Sequence, residues 1–152
     1  MILSNFKDFP RHGRVIGIDW GGRRCGVSVT DQDQDFFFVR PPIVVPRGGK
    51  KDFIASTVID MAQSIHAVAI VVGMPLRIDG TSSDTTQMVR EFIAQMDQMT
   101  EIPIFAIDEI LSSRAAQDDM GRVRRKDIKE KLDSNAARVI LENAIALSRR
   151  SS

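Results

Sequence analysis

RVIGIDWGGRRCGVSVT, residues 14 to 30, is the stretch on which the fold turns. Arg14 to Trp20 and Cys25 to Thr30 are short apolar runs of strand composition, and Gly21-Gly22-Arg23-Arg24 between them is glycine-rich, as a tight hairpin requires. Alternation within the first run puts Gly17 and Asp19 on one face. A third strand is expected from Phe36 to Val45, and its Pro41-Pro42 interruption suits an edge or a bulge rather than a central position. The chain therefore opens as a β-meander.

Further along, the period changes. Ile54, Val58, Met61 and Ile65 recur at the spacing of one helical stripe. Ala67 to Val72 is a continuous apolar run bounded by Gly73 and Pro75, the pattern of a strand buried on both faces. Val89, Phe92, Ile93, Met96 and Met99 mark a second helix, with Met88, Met96 and Met99 read as core filling. Ile102 to Ile107 forms the next buried strand, Ser112 to Met120 a short helix, and Ala136 to Leu147 an amphipathic one through Ala137, Ile140, Leu141 and Ala144. Asp127 to Leu132 is read as a mobile loop, although Ile128 and Leu132 also fit helical spacing. An antiparallel three-stranded meander followed by alternating helix and strand implies an α/β protein. Its five-stranded mixed sheet, with two parallel strands added and helices on its faces, has the order of the ribonuclease H-like fold.

With 152 residues, 43% apolar and 27% charged, the chain suits a single domain over 1–152, with 1–12 and 148–152 expected to be flexible. The apolar run Ala67 to Val72 is far short of a membrane span, and the first twenty residues lack the apolar middle of a signal peptide, so a cytoplasmic protein is expected. The lone Cys25 cannot form an internal disulfide, and His12 and His66 make no zinc cluster. Net charge is only +1, but residues 121–131, GRVRRKDIKEK, concentrate Arg122, Arg124, Arg125, Lys126, Lys129 and Lys131 against Asp127 and Glu130. Such a run is either a solvated face or a contact for a polyanion.

Sites in open α/β sheets gather beyond the carboxyl ends of strands. Asp19 ends the first strand among small neighbours, where it either serves chemistry or accepts hydrogen bonds from the Gly21-Gly22 turn. Asp108-Glu109 ends the IPIFAI strand, and Ser112 or Ser113 can cap the following helix, which leaves Glu109 without a structural duty. Asp133 begins or lies just inside the last helix, with Ala137 and Ile140 on its face. A helix cap is the competing reading, although Ala136 does not complete a capping box. Three carboxylates brought together need cations to offset their repulsion, and oxygen-only ligation favours Mg2+ or Mn2+ over zinc. Two such ions about 3.5–4 Å apart suit in-line phosphodiester displacement. The loop from Gly73 through Arg77 to Thr81, before a helix signalled by Ser82, Ser83 and Asp84, would turn free N–H groups toward the same rim. Gly48-Gly49-Lys50 is not a P-loop, because the first glycine is missing and Lys51 stands where Ser or Thr belongs.

Four ordered stretches, GIDWGGRRCGVSV, VVGMPLRIDGT, IDEILSSRAA and KLDSNAARVIL, resemble the signatures of the YqgF family, and the resemblance covers Gly13 to Leu147. It implies a cytoplasmic ribonuclease H-like nuclease, a family described both as Holliday-junction resolvases and as nucleases maturing the 5′ end of precursor small-subunit ribosomal RNA, the latter preferred here. It carries the catalytic and metal-binding acids onto Asp19, Glu109 and Asp133, with Mg2+ or Mn2+, two ions expected. Arg23 and Lys131 match basic positions, and Arg24, Arg77, Thr81, Arg114, Arg124 and Arg125 join them as expected substrate contacts. Ile110 departs from the family's usual arginine, with Arg114 one helical turn away as a replacement, and Arg77-Ile78 departs from its usual Asn-Met.

The expected partner is therefore nucleic acid, precursor ribosomal RNA favoured and branched DNA the alternative, with ribosomal precursor particles as a further partner and no membrane. The basic run would then contact backbone phosphates with little regard to sequence. An actin-like kinase needs two lobes, too many for this length. A weakly catalytic RNA-binding ribosome or transcription factor remains a rival that turnover would exclude. Junction resolution would normally require a two-fold dimer, and the sequence leaves monomer or weak homodimer open.

Overall fold

The computed structural model describes residues 2–3, 5–76, 83–108 and 125–150, the side chains of 125–134 excepted. Six strands, β1 (Ile2–Leu3), β2 (Val15–Trp20), β3 (Arg24–Thr30), β4 (Phe37–Val44), β5 (Ala69–Met74) and β6 (Ile104–Asp108), form one sheet in the order β1-β6-β5-β2-β3-β4. The pairs β1–β6, β6–β5 and β5–β2 are parallel, while β2–β3 and β3–β4 are antiparallel. The mixed sheet and its meander are as expected, with β1 as a sixth strand. Two residues are too few to show a period, so β1 has no signature in the sequence.

Both readings of Pro41-Pro42 hold. β4 is an edge strand, and the register slips there, since Cys25 pairs with Ile43 while Val27 pairs with Arg40. Pro41 and Pro42 together oppose Gly26, so the bulge absorbs two residues that cannot donate to a ladder.

Helices α1 (Phe53–Ser64) and α2 (Asp84–Asp97) cover one face, closing a core with Ile16, Ile18, Val27, Val58, Ile70, Val72, Val89 and Met96. Helix α3 (Arg125–Arg150) covers the other with Ile140, Leu141, Ala144 and Ile145 against Val15, Val71, Phe105 and Phe9. Of the three methionines expected inside, only Met96 is buried. Met88 is 49% exposed on the outer side of α2, and Met99, 37% exposed, lies beyond the helix end.

One further expectation is corrected. Residues 127–132 are not a loop but part of α3, which starts at Arg125. No glycine or proline interrupts the chain from Arg122 onward, and the Ile128 and Leu132 spacing continues the stripe of the last helix. Near the start of the chain, Ile2 and Leu3 pair with Ile104 and Phe105, and Phe9 is buried against Phe105 with ring centroids 4.8 Å apart. At the other terminus, α3 runs to Arg150 and Ser148 is buried, its C=O accepting from Arg11 at 3.0 Å. The short helix expected at 112–120 lies outside the described residues. No described helix is long and apolar enough to cross a membrane.

Candidate nuclease site

The site is built by one close approach between a strand and a helix. Val15 of β2 packs into the α3-side core while Ile16, Ile18 and Trp20 pack into the opposite one, so alternation places Gly17 and Asp19 on the α3 face. At Gly17 the helix comes so near that a Cβ would stand 2.5 Å from Leu141 Cγ, 2.8 Å from the Ala137 carbonyl oxygen and 2.9 Å from Ser28 Oγ. Only glycine fits that crossing.

The crossing also sets direction. Ser148 and Arg149 bond to Arg11 and Gln34, which flank the beginning of β2 and the end of β3, whereas Ala137 and Leu141 lie at Gly17, further along β2. Helix α3 therefore runs antiparallel to β2, and its earlier residues extend toward the rim where β2, β5 and β6 end. Asp133, one turn before Ala137, has its backbone at the Asp19 end of the crossing. It lies roughly two turns inside the helix, which removes the N-cap reading, since a cap residue flanks the first turn.

Asp19 is half-buried, opposite Gly26 on β3 and one residue beyond the row formed by Ile18, Val72 and Ala106. β6 reaches the same rim, with Asp108 exposed at its last position and paired with Met74. Glu109 is the next residue in sequence and lies outside the described residues, as do Arg77, Thr81, Ile110, Arg114 and Arg124. Of Arg125, Lys131 and Asp133, the backbone alone is described. Arg23 is exposed in the β2–β3 turn and Arg24 begins β3, both at the Asp19 rim.

The start of α2 is fixed at this rim too. Ser83 caps it, accepting from Thr86 N–H at 3.2 Å while its own N–H donates to Thr86 Oγ1 at 2.9 Å, a reciprocal capping box. The Thr86 hydroxyl donates in turn to the Pro75 carbonyl, tying the helix to the residues that leave β5. The Ser83 signal was thus legible in the sequence.

Among the described residues no three His, Cys, Asp or Glu side chains are grouped to hold a metal ion, and two of the three candidate acids have no described side chain. The donor chemistry of the three candidate acids, oxygen only, suits a hard cation, and Gly26, opposite Asp19, has no side chain to fill the space beside it. Sequence reasoning passed over Arg47, Lys50 and Lys51. β4 runs in the same direction as β2, so the β4–α1 loop emerges at the Asp19 rim. The two prolines pointed to an edge strand, but no local pattern predicts which rim its loop joins.

The family model for RuvX, described as Holliday junction resolvase, matches residues 13–147. A protein of Maridesulfovibrio salexigens named "Putative pre-16S rRNA nuclease" is 37% identical over 135 residues, 88% of this chain and 98% of its own. One of the same name from Rhodopirellula baltica is 33% identical over 143 residues, covering 93% and 81%. Among solved structures, Thermus thermophilus RuvC in complex with a Holliday junction substrate aligns with a TM-score of 0.57 at 13% identity over 89% of this chain and 95% of that one. The yeast mitochondrial Holliday junction resolvase Ydc2 aligns at 0.56 and 10% identity, over 96% and 84%. These structural likenesses establish the ribonuclease H-like fold.

Proposed function

The chain belongs to the RuvX (YqgF) family, and from that premise we propose that it is a metal-dependent endonuclease that processes the 5′ end of precursor small-subunit ribosomal RNA. The observation that carries this reading is the Gly17 crossing, which directs Asp19 and the Asp133 segment of α3 to one rim, the rim at which β6 leads into Glu109. The relatives' name supports the choice of ribosomal RNA precursor.

In this mechanism Asp19, Glu109 and Asp133 would hold one or two Mg2+ or Mn2+ ions, which supply Lewis-acid stabilisation of the phosphoryl oxygens and a more acidic water. The protein's part is placement. The sheet sets Asp19, the helix sets Asp133, and their crossing at a glycine fixes the two against each other. Arg23, Arg24, Arg77, Thr81, Arg114, Arg124, Arg125 and Lys131 would neutralise phosphates along the strand, an attraction that weakens with salt.

Resolution of four-way DNA junctions is the second reading, favoured by the description of the family model. It requires two sites related by a dimer axis. The test is cleavage of labelled single-stranded RNA, precursor ribosomal RNA and a four-way junction in magnesium, manganese and EDTA, with Asp19→Asn in parallel. Metal-dependent cutting of the RNA precursor that disappears in the variant is the expected result. Preferential cutting of the junction transfers the assignment to resolution, and no cutting of any substrate refutes a self-sufficient nuclease.

A further inference from the structure

We propose that the β4–α1 loop, residues 45–52, is a phosphate-backbone clamp that holds the substrate strand a short distance from Asp19, with Arg47, Lys50 and Lys51 as its contacts. This rests on the nuclease reading above and adds residues to it.

The loop is joined to the site rather than merely near it. Val44 pairs with Arg24, and Val45 N–H donates to the Arg23 carbonyl at 2.9 Å, so the loop continues directly from the turn that follows Asp19. In the sheet, β4 stands two strands from β2, about 10 Å at the usual strand spacing of about 4.8 Å. A strand crossing the rim at Asp19 would meet the loop within a few nucleotides.

Its backbone is shaped to present side chains outward. Gly49 N–H donates to the Pro46 carbonyl at 2.8 Å and closes a turn in which Gly48 adopts φ +77°. A Cβ on Gly49 would stand 2.8 Å from Val45 Cγ1 and 2.9 Å from the Pro46 oxygen, so the turn is compact. Phe53 N–H then donates to the Lys50 carbonyl at 3.1 Å, seating the loop on the first turn of α1. A P-loop this is not, but it is a defined platform.

The charge is one-sided. Arg47, Lys50 and Lys51 are all exposed, and none forms a salt bridge among the described residues. Asp52, which precedes α1, is the segment's one acid. Arg23 lies exposed between the loop and Asp19 and extends the cationic track toward the acids. Exposed cations on a fixed turn, without a salt bridge among the described residues and beside the proposed phosphodiester site, suit contact with phosphates rather than with base edges.

The test measures binding of a short labelled single-stranded RNA in magnesium across a salt series, in the Asp19→Asn protein so that the RNA stays whole. The variants are Arg47→Ala/Lys50→Ala/Lys51→Ala and, as a control at the opposite rim, Arg149→Ala/Arg150→Ala, each checked by thermal melting. A lysine-to-glutamate version, Lys50→Glu, leaves both turn glycines in place and tests the charge alone. About tenfold weaker binding by the triple variant near 0.1 M salt, a salt slope shallower by about 2, and less than twofold change in the control are expected. Equal affinity and slope for the triple variant, or an equal loss in the control, would overturn the clamp while leaving the nuclease assignment intact. Failure of the Asp19→Asn parent and of the wild-type chain to bind RNA at all would overturn both.

Discussion

The two rims of the sheet are built on opposite plans. Where β2 begins and β3 ends, polar groups are tied to one another. The Asp31 carboxylate accepts from the N–H groups of Asp35 and Phe36 at 2.8 and 2.9 Å, the Gln34 amide donates to the carbonyls of Pro10 and Gly13, and Arg149 bridges the Gln34 carbonyl and the Asp35 carboxylate. At the carboxyl rim, Asp19 stands beside glycines, and Arg23, Arg47, Lys50 and Lys51 form no salt bridge among the described residues. The first rim satisfies itself and holds the chain together. At the second, the exposed cations form no such pairs among the described residues, which suits the proposed contact with phosphates.

Breaking the open rim should give the largest effect. Asp19→Asn is expected to reduce metal-dependent cleavage by roughly a thousandfold, the loss of several kcal/mol of transition-state stabilisation, with melting temperature and RNA affinity little changed. Cleavage at the wild-type rate by this variant would remove Asp19 from the site. The crossing that unites the rims comes next. Gly17→Ala places a methyl group against Leu141 and Ala137 and should destabilise by about 2–3 kcal/mol, read as a fall of about 5–10 °C in melting temperature. An unchanged melting curve would mean that α3 is free to shift.

Much of this was legible in advance, and the failures have physical causes. The strands of the meander and the stripes of α1 and α2 rest on periods that a single sequence displays. Asp19 and Asp108-Glu109 could be selected because strand ends face ligands in such sheets. The beginning of α3 was missed because its charged composition resembles a solvated loop, although the spacing of Ile128 and Leu132 was visible. Met88 and Met99 were misplaced because helical spacing does not fix where a helix ends or how far its buried arc extends. The role of Lys50 and Lys51 depends on the direction of β4 relative to β2, a property of topology rather than of any window of residues.

Smaller perturbations sharpen the contrast at the closed rim. Arg149→Ala removes a half-exposed pair with Asp35, 3.1 Å apart, and should cost no more than about 0.5 kcal/mol, with cleavage unaffected. Asp31 should give that rim a pH signature. The Phe36 N–H is the main influence holding its carboxyl below the ordinary 3.8, burial opposes this, and the N–H of Asp35 adds to the lowering. Because the folded value is the lower one, the stabilisation is complete above the ordinary value and is lost as pH falls through the folded one. Acid denaturation below about pH 4 should therefore be shallower in Asp31→Ala, and an identical acid limb would exclude Asp31 as its source.

An effect of the opposite sign is expected at the crossing itself. Ser28 Oγ is buried there with no hydrogen-bond partner among the described residues, so Ser28→Ala should be neutral or stabilising by up to about 1 kcal/mol in denaturant unfolding. A clear destabilisation would reveal a bond that this hydroxyl makes with a buried water.

The same crossing makes α3 an unequal lever. With Gly17 as the pivot against Ala137, the arm to Asp133 is about 6 Å and the arm to Ser148 about 16 Å, at 1.5 Å per residue. If the helix tilts as a rigid rod, a movement of about 1 Å where Arg11 and Gln34 hold its far end reaches Asp133 as only about 0.4 Å. The aspartate rides on the short arm, so disturbances at the distant anchorage arrive at the site reduced by more than half.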